Sequence, residues 1–178
     1  MEYKTILIDP PWMEQGGGKC KRGADRHYPL MRASDILFTI QNCELYKPAK
    51  DCHLYLWITN NFLLKGTWLI EMMGFRYITT ITWAKKGKIG LGQYFRGKTE
   101  HMLFAVKGDG IGLRRQSKDK SLSTLVEAGR PKKNGRAIHS AKPEESYQLI
   151  EQASQPPYLE LFARNQRIGW TCWGNKID

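Results

Sequence analysis

Residues 4–8, Lys-Thr-Ile-Leu-Ile, form an apolar run that stops at once in Asp9-Pro10-Pro11. A run this short, cut off by a carboxylate and two residues with no backbone N–H, predicts a buried strand that ends in a rigid turn. Later runs repeat the length and composition: 52–59 (CHLYLWIT), 75–84 (FRYITTITWA), 100–106 (EHMLFAV), 158–163 and 170–174. They are rich in β-branched and aromatic residues, which favour strands. Between them, 34–45 and 62–73 predict helices, the second ending at Gly74, a good C-cap residue. Pro143-Glu144-Glu145 opens a third helix to about residue 153, with proline and acids in its first turn. Strands alternating with helices argue for an α/β fold with a largely parallel sheet, whose ligands bind beyond the carboxyl ends of the strands.

The 178 residues suit one domain, 1–178, with a core of its own. There is no internal repeat. No segment is long and apolar enough to span a bilayer, and nothing resembles a signal peptide, so a cytoplasmic protein is expected. Cys20, Cys43, Cys52 and Cys172 form no C-x-x-C pair, and the four histidines are scattered. No zinc or redox motif is signalled, and no metal is expected.

Lys and Arg number 28 against 17 Asp and Glu, a formal charge of +11. Such an excess points to a polyanionic partner, or to a basic surface that only aids solubility. The charge gathers in two places. Gly16-Gly17-Gly18 precedes Lys19, Lys21, Arg22 and Arg26 and predicts a mobile basic loop. Residues 109–136 hold Arg114, Arg115, Lys118, Lys120, Arg130, Lys132, Lys133 and Arg136. That stretch predicts a long basic loop insertion with a short strand around 122–128. Arg96 and Lys98 are candidates to join these segments in touching phosphates, which give affinity and register without reading sequence.

Asp9-Pro10-Pro11-Trp12 carries the candidate chemistry. The exocyclic amine of adenine is a poor nucleophile, because its lone pair is delocalised into the ring. A site that accepts hydrogen bonds from both N–H groups favours a more pyramidal nitrogen. Asp9 supplies a carboxylate for one, and the carbonyl of Pro10 supplies the other. Consecutive prolines fix φ, so the carbonyl is aimed before substrate arrives. Trp12 can stack on a base that has left its helix. The simpler interpretation is a strand-ending turn with a packed tryptophan.

The chain resembles the DPPW-type adenine methyltransferase family. That family contains the catalytic subunit of the eukaryotic mRNA N6-adenosine methyltransferase and many bacterial and phage adenine methyltransferases. The resemblance rests on IDPPW at 8–12, HYPLM at 27–31, LYLWIT at 54–59, TWAKKG at 82–87, KTEHMLFAVKG at 98–108, HSAKPEESY at 139–147 and LELFAR with GWTCWGN between 159 and 175. It implies a Rossmann-like fold binding S-adenosyl-L-methionine, in a permuted order with the catalytic strand first and the cofactor strand near the C-terminus. It implies methyl transfer to N6 of adenine. DNA is favoured, because the chain is similar to the short bacterial and phage members. RNA, or a catalytically inactive nucleic-acid-binding partner of a methyltransferase complex, is the alternative. A homodimer or partner subunit is a further expectation, in a bacterial or phage-infected cell.

Carried over by position, the resemblance gives Asp9, Pro10, Pro11 and Trp12 the catalytic role. Ile8, Asp9, Lys142, Phe162, Arg164 and Asn175 are expected to bind cofactor. Tyr28 lies at the adenine entrance and Glu100 near base and cofactor. Trp57 and Trp83 are assigned to the core. The chain departs from the family where Asn165-Gln166-Arg167 replaces a His-Asn pair and where Lys176 follows Asn175.

Overall fold

The computed structural model describes residues 1–13, 30–87, 94–110, 112, 121–138 and 140–174. Strands are β1 (Tyr3–Ile8), β2 (Pro48–Ile58), β3 (Arg76–Lys86), β4 (Thr99–Lys107), β5 (Leu125–Gly129), β6 (Lys132–Lys133), β7 (Arg136–Ala137), β8 (Tyr158–Leu161) and β9 (Trp170–Trp173). Helices are α1 (Ala33–Gln41), α2 (Leu63–Met72) and α3 (Glu144–Ala153), with a 3-10 turn at Asn60–Phe62 before α2. Seven strands form one sheet in the order β5-β3-β4-β2-β1-β8-β9, and β6 and β7 pair separately. Every pairing in the sheet is parallel except those of β4 with β2 and β3. The fold is therefore mixed α/β with a mostly parallel central sheet.

Period-two alternation makes the sheet double-faced. Ile6 and Ile8, with Leu54, Leu56 and Ile58, pack on Ile36 and Ile40 of α1 and Leu69 and Ile70 of α2. Leu7, Tyr55 and Trp57 point the other way and join Trp83, Met102 and Trp170 with Ile150 of α3. Both faces are covered, which is why β1 and β2 appear in the sequence as unbroken apolar runs. Burying Trp57 and Trp83 in this second layer agrees with their assignment to the core.

Because β4 alone is reversed, one edge of the sheet collects the carboxyl ends of β1, β2, β3, β5, β8 and β9 and the start of β4. In strand order, β1 sits between β2 and β8, where connections leave in opposite directions. This is the switch point at which open α/β sheets bind ligands. The Asp9 N–H reaches across it to the Leu161 carbonyl at 3.3 Å.

Four expectations are corrected. The helix expected over 34–45 ends at Gln41, where the Asn42 side chain donates to the Phe38 carbonyl at 2.8 Å and reverses the chain. The strand expected over 158–163 ends at Leu161, because Phe162 takes a left-handed φ of 63°. The expected strand around 122–128 is shifted to Leu125–Gly129, in register with β3. The described part of the 109–136 stretch is not one loop; it holds β5 and the β6–β7 hairpin.

Gly108 ends β4 with φ 62°, and a Cβ there would lie 2.4 Å from the Lys50 carbonyl oxygen. Gly74 is also left-handed, with φ 76°, but has open space around it. Gly108→Ala is expected to cost about 2–4 kcal/mol, from backbone strain plus overpacking. Gly74→Ala should cost roughly 1–2 kcal/mol, from strain alone. Thermal unfolding checks the pair; equal losses would mean that the close approach at Lys50 contributes nothing.

Candidate active site

The edge below the switch point carries a buried charge cluster. Asp9 follows β1, and Lys142 precedes α3. The Lys142 ammonium donates to both Asp9 carboxylate oxygens at 2.8 Å, and to the Ser140 carbonyl at 3.3 Å. Side-chain exposures of 8% for Lys142 and 15% for Asp9 put the pair largely out of water. Lys142 also lies 3.5 Å from Glu100 at the start of β4, and Glu100 binds Lys85 at the end of β3. Two cations and two carboxylates from four chain segments thus balance each other.

Burial alone would push Lys142 toward neutrality, but Asp9 and Glu100 outweigh it and raise its pKa, with Arg164 close enough to oppose them slightly. Burial likewise opposes ionisation of Glu100, yet Lys142 and Lys85 hold its carboxyl below the usual range. Lys142 therefore stays cationic and Glu100 anionic at neutral pH. The floor beneath them is aromatic: the Lys142 ammonium sits 5.2 Å from the Trp57 ring centroid. Glu100 and His101 face opposite sides of β4, since His101 bonds Thr82 at 3.0 Å and Asn60 at 2.7 Å. They are not a hydrogen-bonded pair.

The tetrapeptide turn is held by four hydrogen bonds. The Trp12 N–H donates to the Pro10 carbonyl at 2.9 Å, closing a three-residue turn. Met31 N–H donates to the Pro11 carbonyl at 2.8 Å, and Met13 N–H to the Met31 carbonyl at 3.0 Å. The indole N–H of Trp12 donates to the Trp57 carbonyl at 2.8 Å. The expectation that Trp12 presents a free ring for base stacking is corrected. The ring is 7% exposed and stacks on Phe62, centroids 5.3 Å apart, so its packing anchors the turn to β2 and the 3-10 turn.

The other expected residues divide into four groups. Phe162 and Arg164 follow β8 at the same edge, Phe162 with its ring on Trp173 at 5.8 Å. Ile8 is fully buried in the α1–α2 layer, so only its backbone faces the edge. Arg96, Lys98, Lys132 and Lys133 are exposed. Tyr28, Lys19, Lys21, Arg22, Arg26 and Asn175 lie outside the described residues.

Four residues were missed. Lys85 completes the charge cluster, and Tyr94 and Phe95 stand 94% and 91% exposed beside Arg96. Glu160, in the middle of β8, is buried and accepts a hydrogen bond from Tyr147 at 3.0 Å. Strand alternation was the signal available: with Leu159 and Leu161 on the α1–α2 face, Glu160 must point to the α3 face.

A mostly parallel α/β sheet with its charged site at the switch point is consistent with the fold of S-adenosylmethionine-dependent methyltransferases. The chain belongs to the MT-A70 family, whose model matches residues 3–176. It is 29% identical over 99% of its length to the type II methyltransferase M.MunI of Mycoplasma sp, spanning 78% of that protein. It is 26% identical over 99% of its length to a probable N(6)-adenosine-methyltransferase MT-A70-like protein of Oryza sativa subsp. japonica. It is 24% identical, again over 99%, to the human N(6)-adenosine-methyltransferase catalytic subunit METTL3. The chain spans only about a quarter of the rice and human proteins, 23% and 28%.

Glu160 yields a pH prediction. Burial raises its pKa to about 7, with the Asp9 charge adding to the rise and the Tyr147 hydroxyl opposing it. A carboxyl with a raised folded pKa favours folding when protonated. That contribution is complete below the unfolded value of about 4.5 and is lost as pH climbs through about 7. Glu160→Gln keeps the shape and removes the titration. Stability of the unaltered protein relative to the variant should fall by about 3 kcal/mol between pH 4 and pH 8, read by denaturant unfolding. Parallel pH profiles would contradict the assignment.

Proposed function

We propose that the protein transfers a methyl group from S-adenosylmethionine to the exocyclic N6 amine of adenine in DNA. The observation that carries this reading is the Asp9 carboxylate beside a Pro10 carbonyl fixed by the Trp12 N–H. Lys142 sits against both Asp9 oxygens and occupies one lone pair on each. The outer lone pairs remain to accept an amine N–H. Lys142, held in its charged form, fixes the direction of the Asp9 carboxylate as a hydrogen-bond acceptor for the amine. The Pro10 carbonyl spends one lone pair on Trp12 and keeps the other for the second amine hydrogen. Pinning the turn to Met31 and Trp57 prevents either acceptor from relaxing, so alignment is in place before reaction.

S-adenosylmethionine supplies an electrophilic methyl on a sulfonium, with a zwitterionic amino-acid end and a ribose. The residues at the edge fit such a molecule. Asp9 and Lys142 offer an anion and a cation side by side, matching the zwitterion, and Arg164 lies near them. The left-handed turn at Phe162 brings a backbone segment to the same edge without a glycine. These residues, with Asn175, are proposed to hold the cofactor in a permuted Rossmann-like arrangement, with β8 as the cofactor strand. Exposed Tyr94 and Phe95 next to Arg96 and Lys98 offer stacking faces and cations to a nucleic acid. The choice of DNA over RNA follows the 29% identity to the type II methyltransferase M.MunI, against 26% and 24% to the N(6)-adenosine enzymes.

Incubation with labelled cofactor and matched DNA and RNA oligonucleotides, followed by mapping of the modified base, tests both parts. Label is expected on adenine N6 in DNA, and label confined to RNA would reverse the choice. Asp9→Asn should lower turnover by roughly 10²-fold or more, as loss of one preorganised electrostatic contact does, while the thermal melt, lowered by the loss of a buried partner of Lys142, still shows a cooperative folded protein at the assay temperature. Near-normal turnover by that variant would refute the role given to Asp9.

A further inference from the structure

After β5 the chain does not turn directly into the site. It first makes a small hairpin, in which Lys132 pairs with Ala137 and Lys133 with Arg136. Its tip is Asn134-Gly135, with φ of 51° and 76°, the left-handed pair that a tight two-residue turn requires. The Ile138 N–H closes the base on the Pro131 carbonyl at 2.9 Å. All residues from 132 to 138 are exposed, so the hairpin stands off the body of the protein. A two-stranded hairpin with no apolar face is marginal in water. This one is also frustrated, because Lys133 and Arg136 are directly opposed like charges, a destabilising arrangement. Among the described residues, no carboxylate lies within ion-pair distance of Arg130, Lys132, Lys133 or Arg136.

We propose that the 131–138 hairpin is an arm that inserts into the major groove of double-stranded DNA. The choice of a nucleic-acid partner rests on the methyltransferase reading above; strandedness and geometry come from the hairpin. Strand alternation places Lys133 and Arg136 on one face of the ribbon and Lys132 on the other. A ribbon lying flat on one backbone would need cations on one face only, whereas a groove presents phosphates on both sides. The major groove of B-DNA, about 12 Å wide and 8.5 Å deep, admits a two-stranded ribbon. The major groove of duplex RNA is deep and narrow and does not. Position agrees with this role. The hairpin leaves the carboxyl end of β5, on the edge that carries Asp9, and the same segment continues to Lys142.

The test is fluorescence anisotropy of the full chain with a short DNA duplex and an RNA duplex of equivalent sequence, each across a salt series. Each lost phosphate contact lowers the log–log salt slope on B-DNA by about 0.9. Lys133→Ala with Arg136→Ala should therefore lower it by about 1.8, and Lys132→Ala alone by about 0.9. Both sets should leave the RNA-duplex slope and the affinity for S-adenosylmethionine unchanged. Loss confined to one face would mean surface contact without insertion, and an unchanged DNA slope or an equal loss on RNA would overturn the arm. Methylation of the same duplex by the unaltered protein is measured in parallel. Hairpin-dependent duplex binding without methyl transfer would uphold the arm and refute the methyltransferase reading. Methyl transfer with hairpin-independent binding would do the reverse.

Discussion

The double contact of Lys142 with the two oxygens of Asp9 is the interaction around which the edge of the sheet is organised. Asp9 comes from the end of β1, and Lys142 from 133 residues further on. Through Glu100 and Lys85 the cluster also ties down the start of β4 and the end of β3. Taking such charges out of water costs several kcal/mol per ion, and mutual attraction only roughly offsets that cost. Removing one member would be severe, at about 3–5 kcal/mol, because it strands a buried charge. A cluster like this adds little net stability. Its physical effect is to fix the direction of two carboxylates and two ammonium groups where strand ends converge.

Backbone strain has the same distribution. Among the described residues, the non-glycine positions with positive φ are Asn134, Ser140 and Phe162. All three lie in segments that leave the carboxyl edge. Ser140 offers its carbonyl to Lys142, and Phe162 begins the turn after β8. Such conformations cost about 1–3 kcal/mol each and persist only where the surroundings over-determine them. For Ser140 and Phe162 the layers above and below the sheet are the source of that constraint, whereas Asn134 takes its φ from the tight turn of the exposed hairpin. β1 and β2 are buried on both faces, so their ends cannot shift to relieve a strained neighbour.

Much of this edge was legible in the residues. The stop at Asp9-Pro10-Pro11 marked the end of β1 because two prolines cannot continue a ladder, and the helix and strand order followed from alternating apolar runs. What was not legible depended on distance in space. Lys142 precedes Pro-Glu-Glu and has the local character of a solvated lysine at a helix start; only the fold shows that it lies under Asp9. Trp12 has the composition of a stacking residue, but Phe62 and the Trp57 carbonyl, both far along the chain, occupy its ring and its N–H. The β6–β7 hairpin carried one local signal, Asn134-Gly135, without the alternating apolar flanks that normally accompany a hairpin. Its charged flanks made it resemble loop.

The charges of the protein divide into two populations with different physics. At the bottom of the site Asp9, Glu100, Lys85 and Lys142 cancel, at side-chain exposures between 8% and 18%. Around the rim Arg96, Lys98, Arg130, Lys132, Lys133 and Arg136 are exposed. Long-range attraction of a polyanion must therefore come from the rim, since a balanced cluster projects little field. The rim is screened over about 8 Å at physiological ionic strength, whereas the buried pair is screened much less. In the function proposed above, capture and alignment would rest on separate sets of residues: salt would weaken the first, while the geometry at Asp9 would persist.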